Sequence, residues 1–262
     1  MTAYKALAMI SLVTLLAAIV ECTPLQRREF KVFDGDRLDN WQHNRFKFIV
    51  AIAGESLCSA SLLSGRTLLS AGHCFMGEGQ PTFAAFGCTT LKSPLRNTIP
   101  IKRVHLREDY KANYEKDQVN GRDVSVVILT ENVVSTGITM VSLAAFYTGR
   151  PVTGETIIIV GYGKDSHTGE KAGILKSGRM RLIECEGKMT AGQPLCMVPT
   201  EEFKLQRNEG GDSGGPAVVR EKGEYVGVGV SSGFYEIGGE ITAIYPSIAS
   251  LVNSSKVISE IK

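Results

Sequence analysis

Apolar and polar positions divide the chain into three parts, and the first part is a leader. Residues 6–20 form an apolar run of 15 residues that follows Lys5 and is interrupted only by Ser11 and Thr14. This length is short for a membrane span and typical of the core of a secretory signal peptide. We therefore predict a signal peptide over residues 1–22, cleaved after Cys22, and a secreted, extracellular protein.

The second and third parts of the pattern predict the fold class. Short apolar runs such as 46–52, 156–160 and 225–230 alternate with clusters of Gly, Asn, Asp and Pro, which is typical of β-structure. A helical period appears only near the C-terminus, at Ile248, Leu251, Val252, Val257, Ile258 and Ile261. We expect an all-β protein with one C-terminal helix.

Composition limits the classes of function. The 262 residues fit one large β domain or two small ones, and the apolar share of 43% is ordinary for a globular protein. The net charge of +2, with both signs interspersed, gives no argument for a nucleic acid partner. No convincing calcium-loop pattern is present, and we predict neither a metal nor a cofactor.

Three separated segments carry the candidate chemistry. Ser213 lies in the hexapeptide Gly-Asp-Ser-Gly-Gly-Pro, and His73 lies in Ser-Ala-Gly-His-Cys, 140 residues earlier. Between them Asp123 precedes Val-Ser-Val-Val-Ile-Leu, with Asp109 and Asp117 as alternatives. A serine hydroxyl needs a base to take its proton, and an imidazole needs a carboxylate to hold it in one tautomer. The segments therefore predict a nucleophile, a base and an orienting residue.

Taken together, these segments resemble the chymotrypsin-like (trypsin-fold) serine endopeptidases over nearly all of the chain after residue 31. The resemblance implies two antiparallel six-stranded β-barrels, over 32–135 and 136–262, with the terminal helix on the second. It also implies a junction near residues 131–145 and an active site in the cleft between the barrels. Backbone N–H groups of Gly211 and Ser213 would form the oxyanion hole.

The six cysteines allow fifteen pairings by sequence alone. The resemblance selects two bridges, Cys58–Cys74 beneath the histidine and Cys185–Cys196 in the second barrel. If Cys22 leaves with the signal peptide, we expect Cys88 to be a buried free thiol. If the signal peptide is cut earlier, Cys22 could instead bridge to Cys88 and tether the propeptide.

Residues 23–31 are short, polar and basic, and we interpret them as an activation propeptide. The segment Val32-Phe33-Asp34-Gly35 resembles the start of the mature enzymes, with Asp34 in place of a glycine. The family resemblance implies cleavage at Lys31–Val32 by an activating protease, after which the new amine of Val32 would pair with Asp212. Cleavage after Arg28 is an alternative, although Glu29 would not match as the new N-terminus.

The substrate pocket departs from the family pattern. Arg207 stands six residues before Ser213, where trypsin-like enzymes carry an Asp, so we expect an acidic or small apolar P1 residue rather than Lys or Arg. The alternative is that Arg207 points to solvent. Neither Glu209 nor residues 234–239 supply the cysteines that usually flank this pocket. Residues Ser231, Ser232 and Gly233 match the substrate-binding strand, with Ser232 in place of the usual Trp and Ser231 expected to hydrogen-bond Asp123.

The leading hypothesis is a monomeric, secreted serine endopeptidase made as a zymogen, whose partners are a protein substrate, an activating protease and a protein inhibitor. The alternative is a catalytically weak homologue that acts as a binding protein. A non-peptidase esterase is disfavoured because esterases place the serine in Gly-x-Ser-x-Gly. Asn253 begins a glycosylation acceptor sequence.

Overall fold

The computed structural model describes residues 36–38, 46–91, 97–107, 109–110, 113, 120–133, 151–165, 169, 171–186, 194–237 and 240–245. Several predicted features lie outside these ranges: the signal peptide, the propeptide with its cleavage site Lys31–Val32, the C-terminal helix and Asn253. The predicted junction near residues 131–145 is described only as far as residue 133. Within the described residues, no helix is long and apolar enough to cross a membrane.

The first half of the chain forms a closed antiparallel barrel, as predicted. Its six strands are β2 (Ile49–Gly54), β3 (Leu57–Ser64), β4 (Thr67–Ser70), β5 (Pro81–Ala85), β6 (Thr98–Leu106) and β7 (Ser125–Leu129). They close in the order β2-β3-β4-β7-β6-β5, so that the described first barrel leaves no strand edge unpaired. A 3₁₀ turn over His73–Phe75 begins three residues after the end of β4.

The second half forms an antiparallel sheet of eight strands. They are β1 (Asp36–Arg37), β8 (Thr156–Gly161), β9 (Lys176–Ile183), β10 (Leu195–Pro199), β11 (Pro216–Glu221), β12 (Glu224–Val230), β13 (Gly233–Ile237) and β14 (Glu240–Tyr245). Seven follow the order β12-β11-β8-β9-β10-β14-β13, and β1 pairs with β9 beside this path.

This sheet differs from the predicted second six-stranded barrel. Its described strands number eight, and no pairing joins the two end strands β12 and β13 within the described residues. Residues 36–37, which we assigned to the first barrel, pair with β9 instead, at Asp36–Ser177 and Arg37–Lys176. Register is weakly specified in a segment this short, so the sequence alone does not reveal the strand with which it pairs.

The buried apolar residues form two clusters, and one of them joins the two halves. One fills the first barrel and extends to Val160, Tyr162, Leu175, Val218 and Val230 of the second half. The other lies within the second sheet around residues such as Ile157, Met180, Leu195, Val226 and Tyr245. Because one cluster is continuous across both halves, the loops that meet at their boundary are held on a packed base.

Candidate active site

His73 and Asp123 lie side by side at the boundary of the two halves. The backbone N–H of His73 donates to Asp123 Oδ1 at 2.7 Å, and His73 Nδ1 lies 2.6 Å from Asp123 Oδ2. The carboxylate is buried with 1% of its side chain exposed, whereas 19% of the His73 side chain is exposed. The imidazole is therefore oriented from one side and open to the cleft on the other.

Local structure explains this placement. The 3₁₀ turn that begins at His73 follows β4, and Asp123 lies two residues before β7, the strand that pairs with β4. Ser125 Oγ donates to the carbonyl oxygen of Ala71 at 3.0 Å and fixes the two segments together. The fallback residue Asp109 instead pairs with Arg107 and Arg122, and Asp117 lies outside the described residues.

Ser213 meets the histidine loop through its backbone. Its carbonyl oxygen accepts the N–H of Ser59 at 2.8 Å and lies 3.8 Å from Cys74 Sγ. The next residue, Gly214, has a φ of +81°, and a Cβ there would lie 2.0 Å from Ser70 Oγ. Only a glycine permits this contact, so the sequence Ser-Gly brings Ser213 against the segment that carries His73.

The loop before Ser213 presents a backbone donor. The carbonyl oxygen of Gly210 accepts the N–H of Lys164 at 2.9 Å. In a planar trans peptide the following N–H, that of Gly211, points in the opposite direction. Gly211 has a φ of +105°, and a Cβ there would lie 3.0 Å from the Cα of Gly163. This glycine is therefore required both for the backbone conformation and for the close approach.

Asp212 points into the interior with 2% of its surface exposed. Its Oδ1 accepts the N–H of Gly163 at 2.7 Å and its Oδ2 accepts the N–H of Glu209 at 2.9 Å. Burial raises the pKa of Asp212 to about 6, while these two hydrogen bonds and the charge of Lys176 act in the opposite direction. The predicted partner Val32 lies outside the described residues.

The prediction that Ser231 hydrogen-bonds Asp123 is wrong, because the next residue, Ser232, makes this contact. Ser232, which is buried, donates its hydroxyl to Asp123 Oδ2. Ser231 accepts from Asn208 Nδ2 at 2.9 Å, and its backbone N–H and C=O bond to Gly215 and Gly214. Two adjacent serines are equally good matches to one motif position, and a shift of one residue turns the side chain to the other face.

The same shift changes the alignment of the predicted substrate-binding strand. Gly233, and not Ser232, then occupies the position of the usual Trp, and it opens β13. The next residue, Phe234, is 60% exposed. Strand β13 ends the described path of the second sheet, so one of its edges carries backbone groups without a strand partner in that path.

Arg207 is neither free in solvent nor deeply buried. Its guanidinium lies 3.3 Å from Glu209 Oε1, and the two side chains are 26% and 14% exposed. Glu209 occupies the position at which the family pattern has one of the cysteines that flank this pocket. Asn208, between them, also accepts a hydrogen bond from the hydroxyl of Tyr245.

The predicted bridges Cys58–Cys74 and Cys185–Cys196 are both present. Cys88 is also disulfide-bonded, so the expected free thiol is wrong, and its partner lies outside the described residues. Among the described residues, potential metal-ligating atoms of Cys58, His73 and Cys74 lie within 4.8 Å of one another. The two sulfurs of this cluster are already bonded to each other, which does not suit a metal site.

Sequence reasoning missed three residues that shape the site. Ser59 contacts the segment before Ser213, and Lys176 and Asp165 form a buried ion pair next to Asp212. Ser59 is one of three serines in β3, and Lys176 and Asp165 are charged residues, which are expected at an exposed surface. Their roles depend on contacts between residues far apart in sequence, for which the chain offers no local signal.

Comparison with known proteins agrees with this geometry. The trypsin family model matches residues 37–256. A cercarial protease of Schistosoma mansoni is 30% identical over 70% of this chain and 74% of its own length. Serine protease 1 of Homo sapiens is 24% identical over 68% of this chain and 72% of its own length. Transmembrane protease serine 11C of Mus musculus is 25% identical, and the match spans 41% of that protein. The chain belongs to the trypsin family and is a chymotrypsin-like serine endopeptidase.

Proposed function

We propose that this chain is a secreted endopeptidase made as a zymogen, which cuts peptide bonds through an acyl-enzyme on Ser213. One observation carries the proposal. The buried carboxylate of Asp123 holds the imidazole of His73 at 2.6 Å, on a loop that also contacts the backbone of Ser213. An imidazole that a buried carboxylate orients, on a loop that contacts the segment of a serine, is what nucleophilic catalysis requires.

The chemistry follows from these positions. Ser213 Oγ attacks the scissile carbonyl while His73 takes its proton, and the imidazolium is stabilised by Asp123. Backbone N–H groups of Gly211 and Ser213 receive the developing oxyanion, each contributing about 3–4 kcal/mol to the transition state. His73 then protonates the leaving amine, and water releases the acyl group by the reverse sequence.

We propose that cleavage at Lys31–Val32 completes activation. Burial raises the pKa of Asp212 to about 6, so an ionised carboxylate there needs positive charge nearby. A new ammonium at Val32 would supply it, and a basic P1 residue at position 31 suits an activating protease of tryptic specificity. The apolar run at 6–20 supports secretion, with the protein acting outside the cell as a monomer.

We propose a P1 preference for small apolar or acidic side chains. The cation of Arg207 opposes Lys and Arg at P1, and its pairing with Glu209 at 3.3 Å offsets part of the attraction for acidic residues. Gly233 provides no apolar wall for neighbouring substrate residues. Binding therefore rests on the backbone of an extended peptide, which adds to a free strand edge.

The test is to cleave the purified chain at Lys31–Val32 and to expose it to a diverse peptide mixture, with Ser213→Ala as the control. Cut sites are read by mass spectrometry. We expect cuts that are absent from the control, with few Lys or Arg residues at P1. A clear Lys or Arg preference would refute the assignment of Arg207, and no cuts from a chain with a verified Val32 N-terminus would favour the binding-protein alternative.

A further inference from the structure

A cavity of about 510 Å³ lies on the first barrel, apart from the residues that the proposed chemistry uses. This volume is within the range of about 300–1,000 Å³ that is typical of ligand sites. Two turns form its walls: one joins β2 to β3, and the other leads from the 3₁₀ turn of His73 to β5. The lining residues are Gly54, Glu55, Gly77, Gly79, Gln80 and Thr82.

The two turns are fixed against each other by backbone contacts. The N–H of Ser56 donates to the carbonyl oxygen of Gly79 at 3.0 Å, and Gln80 Nε2 donates to the carbonyl oxygen of Gly77 at 2.9 Å. A Cβ on Gly54 would lie 2.7 Å from the carbonyl oxygen of Gln80, so this approach requires a glycine. A Cβ on Gly77 would meet nothing within 4 Å, so the space beside Gly77 is open.

Glu55 brings the charge of this cavity, since the other five described residues that line it are neutral. Its side chain is exposed, and a Cβ on Gly79 would lie 3.1 Å from Glu55 Oε2. The carboxylate therefore lies against the opposite turn, where Gly79 leaves room for it. Within the described part of the chain, Glu55 forms neither an ion pair nor a hydrogen bond. The carboxylate is thus available to a cation from another molecule.

The cavity adjoins the proposed nucleophile through the Cys58–Cys74 disulfide. Glu55 lies three residues before Cys58, and Gly77 lies three residues after Cys74. Cys74 Sγ in turn lies 3.8 Å from the carbonyl oxygen of Ser213. Three extended residues span at most about 10 Å, so the cavity is two or three residues of an extended peptide away from this serine.

The direction of a bound peptide places this cavity on the leaving-group side. The contacts proposed above for residues up to P1, at Arg207 and at the free edge of β13, belong to the second half of the chain. Ser213 meets the loop of His73 at the boundary of the halves. A peptide that continues past the scissile bond therefore passes onto the first barrel, on the side of Glu55.

We propose that Glu55 is a specificity-determining residue that selects a lysine or arginine two or three residues after the scissile bond. This inference rests on the proposed peptidase function. The cavity takes the long apolar stem of the basic side chain, and the carboxylate binds its cationic end. Because exposed ion pairs are weak, the preference is several-fold and not absolute. Basic residues of the substrate are thus selected after the scissile bond, although Arg207 opposes them at P1.

The first test uses peptides that share one cut site and carry Arg, Gln or Glu at the second or third residue after it. We expect kcat/KM of the cleaved wild-type enzyme to be about 3- to 5-fold higher for Arg than for Gln at one of these positions. Glu55→Gln should bring this ratio to about 1, and Glu55→Lys should instead favour Glu. All variants should hydrolyse the Gln peptide at the wild-type rate.

Glu78→Gln is the matched control. Glu78 is exposed and stands between two of the lining glycines, but it does not line the cavity. This variant has the same change of net charge and should keep the wild-type ratio. The proposal would be overturned by equal rates for Arg and Gln at both positions in wild type, by a preference that persists in Glu55→Gln, or by an equal loss of preference in Glu78→Gln.

A second test does not depend on activity. A water-soluble carbodiimide is added to the cleaved Ser213→Ala chain with an N-acetylated peptide that contains one lysine, and the amide crosslinks are mapped by mass spectrometry. We expect Glu55 to be crosslinked about 5-fold or more above Glu78, because only Glu55 faces the cavity. Crosslinks that avoid Glu55 would overturn the proposal. A crosslink at Glu55 beside a cleaved wild-type chain that cuts no peptide would refute the peptidase function and leave a site for basic peptides.

Discussion

The hydroxyl of Ser59 donates a hydrogen bond to the carbonyl oxygen of Gly211 at 2.9 Å, across 152 residues of sequence. The same hydroxyl accepts the N–H of Tyr162 at 3.0 Å, and the backbone N–H of Ser59 binds the Ser213 carbonyl. One residue of the first barrel thus fixes the backbone of both Gly211 and Ser213, whose N–H groups are the proposed oxyanion donors. The first barrel therefore sets the geometry of a loop that belongs to the second half.

Ser59→Ala should weaken catalysis more than binding. The variant leaves the Gly211 carbonyl and the Tyr162 N–H without their buried partner, so the donors shift relative to the oxyanion. We expect kcat of the cleaved enzyme to fall about 10-fold with KM changed less than about 2-fold. Ser61→Ala, at a buried serine two residues along the same strand, serves as the control and should retain wild-type kcat.

Substitutions of the adjacent residues Ser232 and Ser231 should affect different kinetic parameters. Ser232→Ala removes a donor to the Asp123 carboxylate and should lower kcat about 10-fold. Ser231→Ala breaks the 2.9 Å contact with Asn208 and should change KM more than kcat. A larger loss of kcat in Ser231→Ala than in Ser232→Ala would contradict the arrangement.

Much of this site could be predicted from sequence because its chemistry needs particular residues in particular local contexts. The glycines around Ser213 are fixed by backbone approach, and the cysteine after His73 marks its loop. Ser231 and Ser232 could not be told apart, because each satisfies the motif and only the register of β12 and β13 decides between them. The burial of Lys176 and Asp165 could not be predicted from the sequence. An isolated lysine in a strand predicts a solvated side chain, and only tertiary packing buries it.

The two described disulfides should differ in their effect on activity. Removal of either bridge, as Cys58→Ser/Cys74→Ser or Cys185→Ser/Cys196→Ser, should lower the free energy of unfolding by about 3 kcal/mol, since the loops span 16 and 11 residues. Only the first pair adjoins His73. We expect kcat to fall several-fold in that variant and to stay near wild type in the other, measured well below both melting temperatures.

Asp212 should make the stability of the uncleaved chain depend on pH. Burial raises its pKa from 3.8 to about 6, so the folded state binds more protons than the unfolded state between these values. The free energy of unfolding should therefore fall as pH rises through this window, by at most about 3 kcal/mol. Denaturant titrations at several pH values should show the fall in the wild-type chain.

The matched variant is Asp212→Asn in the uncleaved chain. It removes the titrating group, so this part of the pH dependence should disappear while the fold is retained. Cleavage of the wild-type chain should also flatten the curve, because the new ammonium of Val32 favours the ionised carboxylate. An identical pH profile in wild type and Asp212→Asn would contradict the assignment.

The most direct measurement of the central claim is the rate at which a fluorophosphonate modifies Ser213 in the cleaved chain, read by intact mass and peptide mapping. We predict one adduct, on Ser213, with a rate that falls about 1,000-fold or more in His73→Ala, because the serine then has no base. Modification of Ser213 at the same rate with and without His73, or no adduct on Ser213 in a chain cleaved at Lys31–Val32, would contradict the account.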